Sequence, residues 1–135
     1  MSKPKVKTTK PIEVWKQTPD DHDFPAAAQY LGLLFDDTTA QALSEKLRAA
    51  STVERKAKDL LRSSKLPLLS ADDREVAKDL ERAAGGTPLS PVLLVRSTSG
   101  RALIVADGYH RICASYHLSD DTVVPCRIVD LTEPA

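Results

Sequence analysis

Apolar residues recur at helical spacing through the first half of the chain and in short continuous runs through the second, and that change of period organises the reading. Asp23-Phe24-Pro25 predicts a helix start, with an acidic cap and a proline in the first turn. Phe24, Ala27, Leu31 and Leu34 give that helix an apolar face. Asp36 and Asp37 open a second helix with Ala40, Leu43 and Leu47 on one side. Ser51-Thr52 reads as the cap of a third, with Val53, Ala57, Leu60 and Leu61 as its stripe and Arg55, Lys56, Lys58 and Arg62 on its polar side. Residues 23–63 are therefore expected to be all helical.

Pro67 breaks the pattern inside Lys65-Leu66-Pro67-Leu68-Leu69, which reads as a strand-like turn. Asp72 and Asp73 open a helix that runs through Ala84, with Val76, Ala77, Leu80 and Ala83 or Ala84 facing inward, and Gly85-Gly86 ends it. Pro91 to Arg96 predicts a strand whose proline sits at its start, where no ladder donor is missed. Ser97-Thr98-Ser99-Gly100 connects it to a second strand over 102–106. A helix over 109–118, a turn at Asp120-Asp121 and a last strand from Val123 to Val129 complete the pattern. The expected organisation is a flexible basic tail over 1–20, a helical arm over 21–63 and an α+β domain over 64–135.

Composition refines this little. The chain has 135 residues, 41% hydrophobic and 28% charged, with zero formal net charge, so one ordinary globular domain is expected, with no overall field to attract DNA. Residues 1–19 hold Lys3, Lys5, Lys7, Lys10 and Lys16 against Glu13, five charges less one, a net of +4. That tail leaves room for a nucleic-acid contact, although solubility explains it more simply. The polar side of the third helix carries the same two readings, and Glu54 and Asp59 dilute it. Aromatic residues, at 4%, are too few for a base-stacking platform. No apolar stretch is long enough to span a membrane and no secretory signal opens the chain, so a cytoplasmic location is expected. Cys113 and Cys126 form no CxxC pair and are expected as buried thiols.

The stretch with the most chemistry is Asp107-Gly108-Tyr109-His110-Arg111. A strand that turns through glycine into a helix aims backbone N–H groups at one point, and an imidazole and a guanidinium join them there. This is an anion site in outline. Each residue also has a plainer role. Gly108 supplies a positive φ. Asp107 either caps the helix or serves as a metal-bridging or general-base carboxylate. His110 is a donor or a structural histidine, and Arg111 a phosphate donor or the ion-pair partner of Asp107. Tyr109 stacks on a ligand or packs in the core. His117 lies two turns from His110 without a third metal ligand, and the polarity of a helix start accounts for His22 between Asp21 and Asp23. Ser90 and Ser115 lack the partners of a serine nucleophile.

Lys65-Leu66-Pro67-Leu68, the acid-started helix, Leu89 to Val95, Val105-Ala106-Asp107-Gly108-Tyr109-His110-Arg111 and Val124-Pro125-Cys126-Arg127-Ile128-Val129 occur in that order. Over about residues 64–130 this resembles the ParB/sulfiredoxin superfamily. The resemblance implies a small mixed β-sheet with helices, and a glycine turn that holds nucleotide phosphates: ATP in sulfiredoxins, CTP in ParB proteins, and a phosphoryl-transfer site in related free-serine kinases. Carried over by position, Gly108, His110 and Arg111 resemble the phosphate cradle, with Tyr109 inside the same turn. Glu75, Lys78 and Arg82 fall near the nucleotide-contacting positions, and Lys78 and Arg82, four residues apart, share a helix face. Tyr109 stands where sulfiredoxins carry their catalytic cysteine, so sulfinic-acid repair is not expected. ParB proteins have a Gly-Glu-Arg-Arg type turn and a following helix-turn-helix domain. With the chain ending at Ala135, sliding along DNA is not expected either.

The leading expectation is thus a domain that binds a nucleoside di- or triphosphate with Mg²⁺, the base undetermined, with Asp107 helping to hold the metal. If it turns over, phosphoryl transfer or nucleotide hydrolysis is the class, with Asp107 and His110 as its catalytic candidates. The alternative is a non-enzymatic interaction or regulatory module, a homodimer or an accessory subunit that meets its partner through the helical arm. A nuclease using Asp107, Asp120 and Asp121 ranks third.

Overall fold

Four strands, β1 (Val53–Lys56), β2 (Val92–Arg96), β3 (Ile104–Asp107) and β4 (Val123–Asp130), form one mixed sheet in the order β1-β4-β2-β3, and helices cover both of its faces. The computed structural model describes residues 15–97 and 100–131. Its elements are α1 (Asp23–Leu34), α2 (Asp37–Ala49), β1 (Val53–Lys56), α3 (Ala57–Ser64), α4 (Arg74–Ala84), β2 (Val92–Arg96), β3 (Ile104–Asp107), α5 (Tyr109–Leu118) and β4 (Val123–Asp130). The fold is α+β, as the pattern implied. The tail over 1–14, including Ile12 and Val14, lies outside the described residues, as do Thr98 and Ser99 of the β2–β3 connection. Trp15 forms an isolated parallel bridge with Leu89 and packs against the core.

β2 explains why its sequence is a continuous apolar run. Val92 and Leu94 face a core shared with Ala57, Leu60, Leu61, Val76, Ile112 and Cys113. Leu93 and Val95 face a second core with Phe24, Ala27, Leu31, Ala40, Leu43 and Leu47. A strand buried on both sides has no polar face to alternate with. β4 lies beside β2 in parallel and beside β1 antiparallel. The crossover from β2 to β4 runs through β3 and α5.

Three expectations need correction. Residues 53–56 are a strand, not the start of a third helix: Val53 pairs with Cys126 and Lys56 with Val123. The ladder outcompetes the good helix propensity of Glu54, Arg55 and Lys56, as tertiary pairing commonly does. The chain then enters α3 without a turn. Lys56 keeps extended angles, and the first amides of α3 donate to the carbonyls of Thr122 and Asp120 at 2.8 and 3.0 Å, so Ser51 and Thr52 cap nothing. Region 23–63 is therefore not all helical. It supplies an edge strand and α3 to one side of the sheet, and α1 and α2 to the other. The second correction is Leu34, which is 49% exposed, with Leu33 at 81%, so the apolar face of α1 ends at Leu31. The third is the strand-like turn at 65–69, which has no strand; Lys65 ends α3 in the left-handed region at φ 60°.

Caps at α2 and α4 match the acidic starts. Asp36 accepts from the Thr39 amide, and Asp73 from those of Glu75 and Val76. Cys113 and Cys126 are free and buried, and burial pushes the Cys126 thiol up to about 11.

Candidate functional site

The β3–α5 junction is shaped by a bulge and a glycine. On β2, Leu93 and Leu94 are adjacent, yet they pair with Asp107 and Val105, so Ala106 is the extra residue on β3. A bulge of this kind bends the strand end and re-aims the side chains that follow. Gly108 then takes φ 111° and starts α5. A Cβ there would meet the Cγ1 of Val92, lie 2.7 Å from Val92 Cβ and 2.8 Å from Arg111 Nη2. Both the backbone angle and the space demand glycine. Gly108 has no side chain to cap α5, and among the described residues no side-chain cap bond is made there. The first amides of the helix thus remain available, with the positive end of its dipole.

The turn borders a cavity of about 250 Å³ between α1, α4 and α5. Asp107, Gly108, His110 and Arg111 line it from the turn, and Arg82 lines it from α4. With Glu75, also on α4, six of the residues the sequence singles out for the nucleotide site share one cavity. Lys78 and Tyr109 are not among its lining. The Lys78 ammonium sits 3.7 Å from Glu75 Oε2 and is half exposed. The Tyr109 hydroxyl donates to the Pro67 carbonyl, and its ring packs against the core and lies 5.6 Å from that of His110.

Arg111 is the most constrained of the group. Its Nη2 donates to Asp107 Oδ2 at 2.8 Å, its Nη1 contacts Ser90 Oγ, and Asp23 Oδ2 lies 3.8 Å away. The Arg111 side chain is only 13% exposed. Arg82 is held as well, by Asp79 at 2.6 Å. His110 Nε2 stands 4.0 Å from Asp73 Oδ2. The Asp107 carboxyl titrates above the ordinary carboxylate value because burial disfavours its charge. The Arg111 guanidinium opposes that shift and the Asp23 carboxylate adds to it.

Three further polar residues line this cavity, Asp23, Asp79 and His22, to which the sequence pattern gives no part in the site. The sequence pattern makes Asp23 the α1 cap. The N-cap is instead His22, and Asp23 turns its side chain inward, accepting the Asp20 amide at 3.0 Å and facing Arg111. The Asp20 amide bonds the Asp23 carboxylate while the Asp23 amide donates to the Asp20 carbonyl, closing a turn just ahead of α1. Asp79 had a clearer signal: it falls between Val76 and Ala83 on the buried face of α4. An acid on a core face calls for a partner.

Asp20, His22 and Asp23 bring one ligand atom each within 4.8 Å of one another. Asp20 is already paired with Lys16 at 2.5 Å, and Asp23 with the Asp20 amide and Arg111, so local pairing accounts for the cluster. His117 lies against the Leu69 carbonyl at 2.7 Å and is not directed toward His110. Asp120 and Asp121 stand beyond the far end of α5, roughly 15 Å along the helix from Asp107, and Asp121 pairs with Lys58 at 2.9 Å. The three carboxylates of the nuclease reading do not meet.

Comparison with known proteins gives no matching family model, no matching curated protein and no matching solved structure. Among the described residues, no helix is long and apolar enough to cross a membrane.

Proposed function

We propose that this domain binds a nucleotide through its phosphates, as the Mg²⁺ complex, in the cavity between α1, α4 and α5. The observation that carries the reading is Gly108: a side chain there is sterically barred, which keeps the start of α5 uncapped beside His110, Arg111 and Arg82. Free helix amides, an imidazole and guanidiniums are the ordinary components of a phosphate site. The order of motifs shared with the ParB/sulfiredoxin superfamily supports the same assignment.

The charges around the cavity support the metal complex over a bare polyphosphate. Four carboxylates line it, Asp23, Glu75, Asp79 and Asp107, against the guanidiniums of Arg82 and Arg111. Both guanidiniums are already paired. A naked triphosphate would face net repulsion, whereas Mg²⁺ supplies the missing positive charge and takes oxygen ligands. Glu75, half exposed, and Asp107 are the carboxylates suited to hold it. Asp107 Oδ2 accepts from Arg111, which favours a binding role over that of a base exchanging protons.

Thermal melting against a panel of nucleoside di- and triphosphates, each with and without Mg²⁺, tests the proposal. A Mg²⁺-dependent rise in Tm is expected with at least one nucleotide. His110→Ala, at a partly exposed site, should abolish the rise while leaving the nucleotide-free melt nearly unchanged; Arg82→Gln should abolish it too, with a lower nucleotide-free Tm because the buried Asp79 loses its cation. A melt indifferent to every nucleotide would reject the proposal.

A further inference from the structure

We infer a second ligand site at the other end of the β2–β3 ladder, one that takes a small organic anion with an apolar body. β3 runs antiparallel to β2, with Leu93 opposite Asp107 and Val95 opposite Ile104. The Asp107 end opens on the carboxylate-rich cavity described above. The Ile104 end opens on a different cavity of about 400 Å³, within the range of small-molecule sites.

The walls of this cavity combine two chemistries. Leu60, Leu103 and Ile128 provide apolar surface, and Arg55, Arg96 and Arg101 provide cations. Strand periodicity brings two of the arginines to this face. Val53, Leu94 and Ile128 belong to the core beneath α3. Arg55 and Arg96 each follow such a residue by two positions, so they emerge on the same side. The Leu103 amide donates to the Ser63 carbonyl at 2.9 Å, joining the entry to β3 to the end of α3.

The cationic charge here is only partly compensated. Arg96 is bound by Asp130 at 2.6 Å. Asp59, the acidic residue of the lining, lies 3.0 Å from Arg62 Nη2. Among the described residues, neither Arg55 nor Arg101 has a carboxylate partner; Arg55 donates to the carbonyl of neighbouring Glu54. Two guanidiniums without a carboxylate partner among the described residues, beside an apolar surface, match a planar anionic group attached to a hydrophobic body. An inorganic anion would leave the apolar wall wet, and a neutral apolar molecule would leave the guanidiniums without a counter-ion.

The test is a nitrogen-15 NMR titration of the full chain with benzoate, phenyl phosphate, benzamide and inorganic phosphate. Saturable shifts of the Ser63, Leu103 and Ile128 amides are expected with benzoate or phenyl phosphate. Benzamide and inorganic phosphate should produce none at the same concentrations. The doubly substituted R55Q/R101Q protein, changed only at exposed positions, should bind at least about tenfold more weakly, the loss of one charge-assisted hydrogen bond. Arg82→Gln, in the other cavity, should bind as wild type does. Equal shifts with benzamide, unchanged affinity in R55Q/R101Q, or the absence of saturable shifts with both organic anions would overturn the assignment.

Discussion

Arg111 Nη1 lies 3.8 Å from Asp23 Oδ2, and the two side chains are 13% and 6% exposed. The pair joins the first turn of α5 to the first turn of α1. The same guanidinium holds Asp107 at 2.8 Å, so one cation compensates two poorly hydrated carboxylates.

Removing that cation should be costly. Arg111→Met leaves the buried Asp23 and the partly buried Asp107 without a counter-charge, which typically destabilises by about 3–5 kcal/mol. Asp23→Asn in the same background should recover part of the loss, because the orphaned charge is gone. Urea unfolding of the wild type, both single variants and the double variant measures the coupling, expected above about 1 kcal/mol. Strict additivity would show that the contact carries no energy. It also follows that Arg111 is a poor first choice for testing nucleotide binding, since its loss perturbs the fold as well as the cavity.

Gly108 offers a cleaner separation of strain from ligand chemistry. Alanine there must adopt φ 111° and press its Cβ to 2.7 Å from Val92 Cβ. A destabilisation of about 2–4 kcal/mol is expected from the two effects together. Val92→Ala in the Gly108→Ala background should remove only the Cγ1 part of the clash, because the Cβ at 92 stays 2.7 Å away and the backbone strain remains. Denaturant midpoints report both. A Gly108→Ala protein within about 0.5 kcal/mol of wild type would mean that the junction can relax.

Much of this arrangement was legible in the sequence, for a physical reason. Gly108 between an apolar run and a helix-compatible run is a local signal, and so are the acids that cap α2 and α4. What escaped was non-local. Val53 to Lys56 reads as helix because its pairing partner, Val123 to Cys126, is distant in the chain. Asp23 reads as a cap because nothing adjacent reveals that Arg111 will reach it across the fold. Asp79 could have been found, since a charge inside the apolar stripe of α4 calls for a partner, and Arg82 stands three residues on.

Arg127 shows how β4 is tied to the helices on its far side. Residue 127 is 9% exposed, and its guanidinium donates to the carbonyls of Leu47 and Arg48 at 3.2 and 2.8 Å and to Thr52 Oγ1 at 3.2 Å. These carbonyls end α2, where cations are favoured. Burial lowers the guanidinium pKa from its ordinary value, but an arginine stays charged throughout the accessible range. Arg127→Met keeps the apolar stem and removes the donors, so about 2–3 kcal/mol should be lost. Arg127→Lys should restore only part of it, because one ammonium cannot reproduce the fork. Thermal and urea unfolding of the two variants distinguish a bonding role from simple packing, for which methionine would suffice.

Asp107 gives the protein a pH dependence of determinable sign. Burial raises its folded-state pKa above the ordinary 3.8, against the pull of Arg111. Between 3.8 and that raised value the folded chain binds more protons than the unfolded chain at this site. The contribution of Asp107 to stability is therefore greatest below the unfolded pKa and declines as pH rises through the folded one. Asp107→Asn removes this dependence while preserving shape. The stability difference, wild type minus variant, should fall as pH rises from just below 3.8 through the raised folded value and then level off. Urea midpoints taken across that interval measure it. A difference that grows with pH would mean that the Arg111 ion pair outweighs desolvation, and that the carboxylate is held ionised as a fixed charge in the cavity.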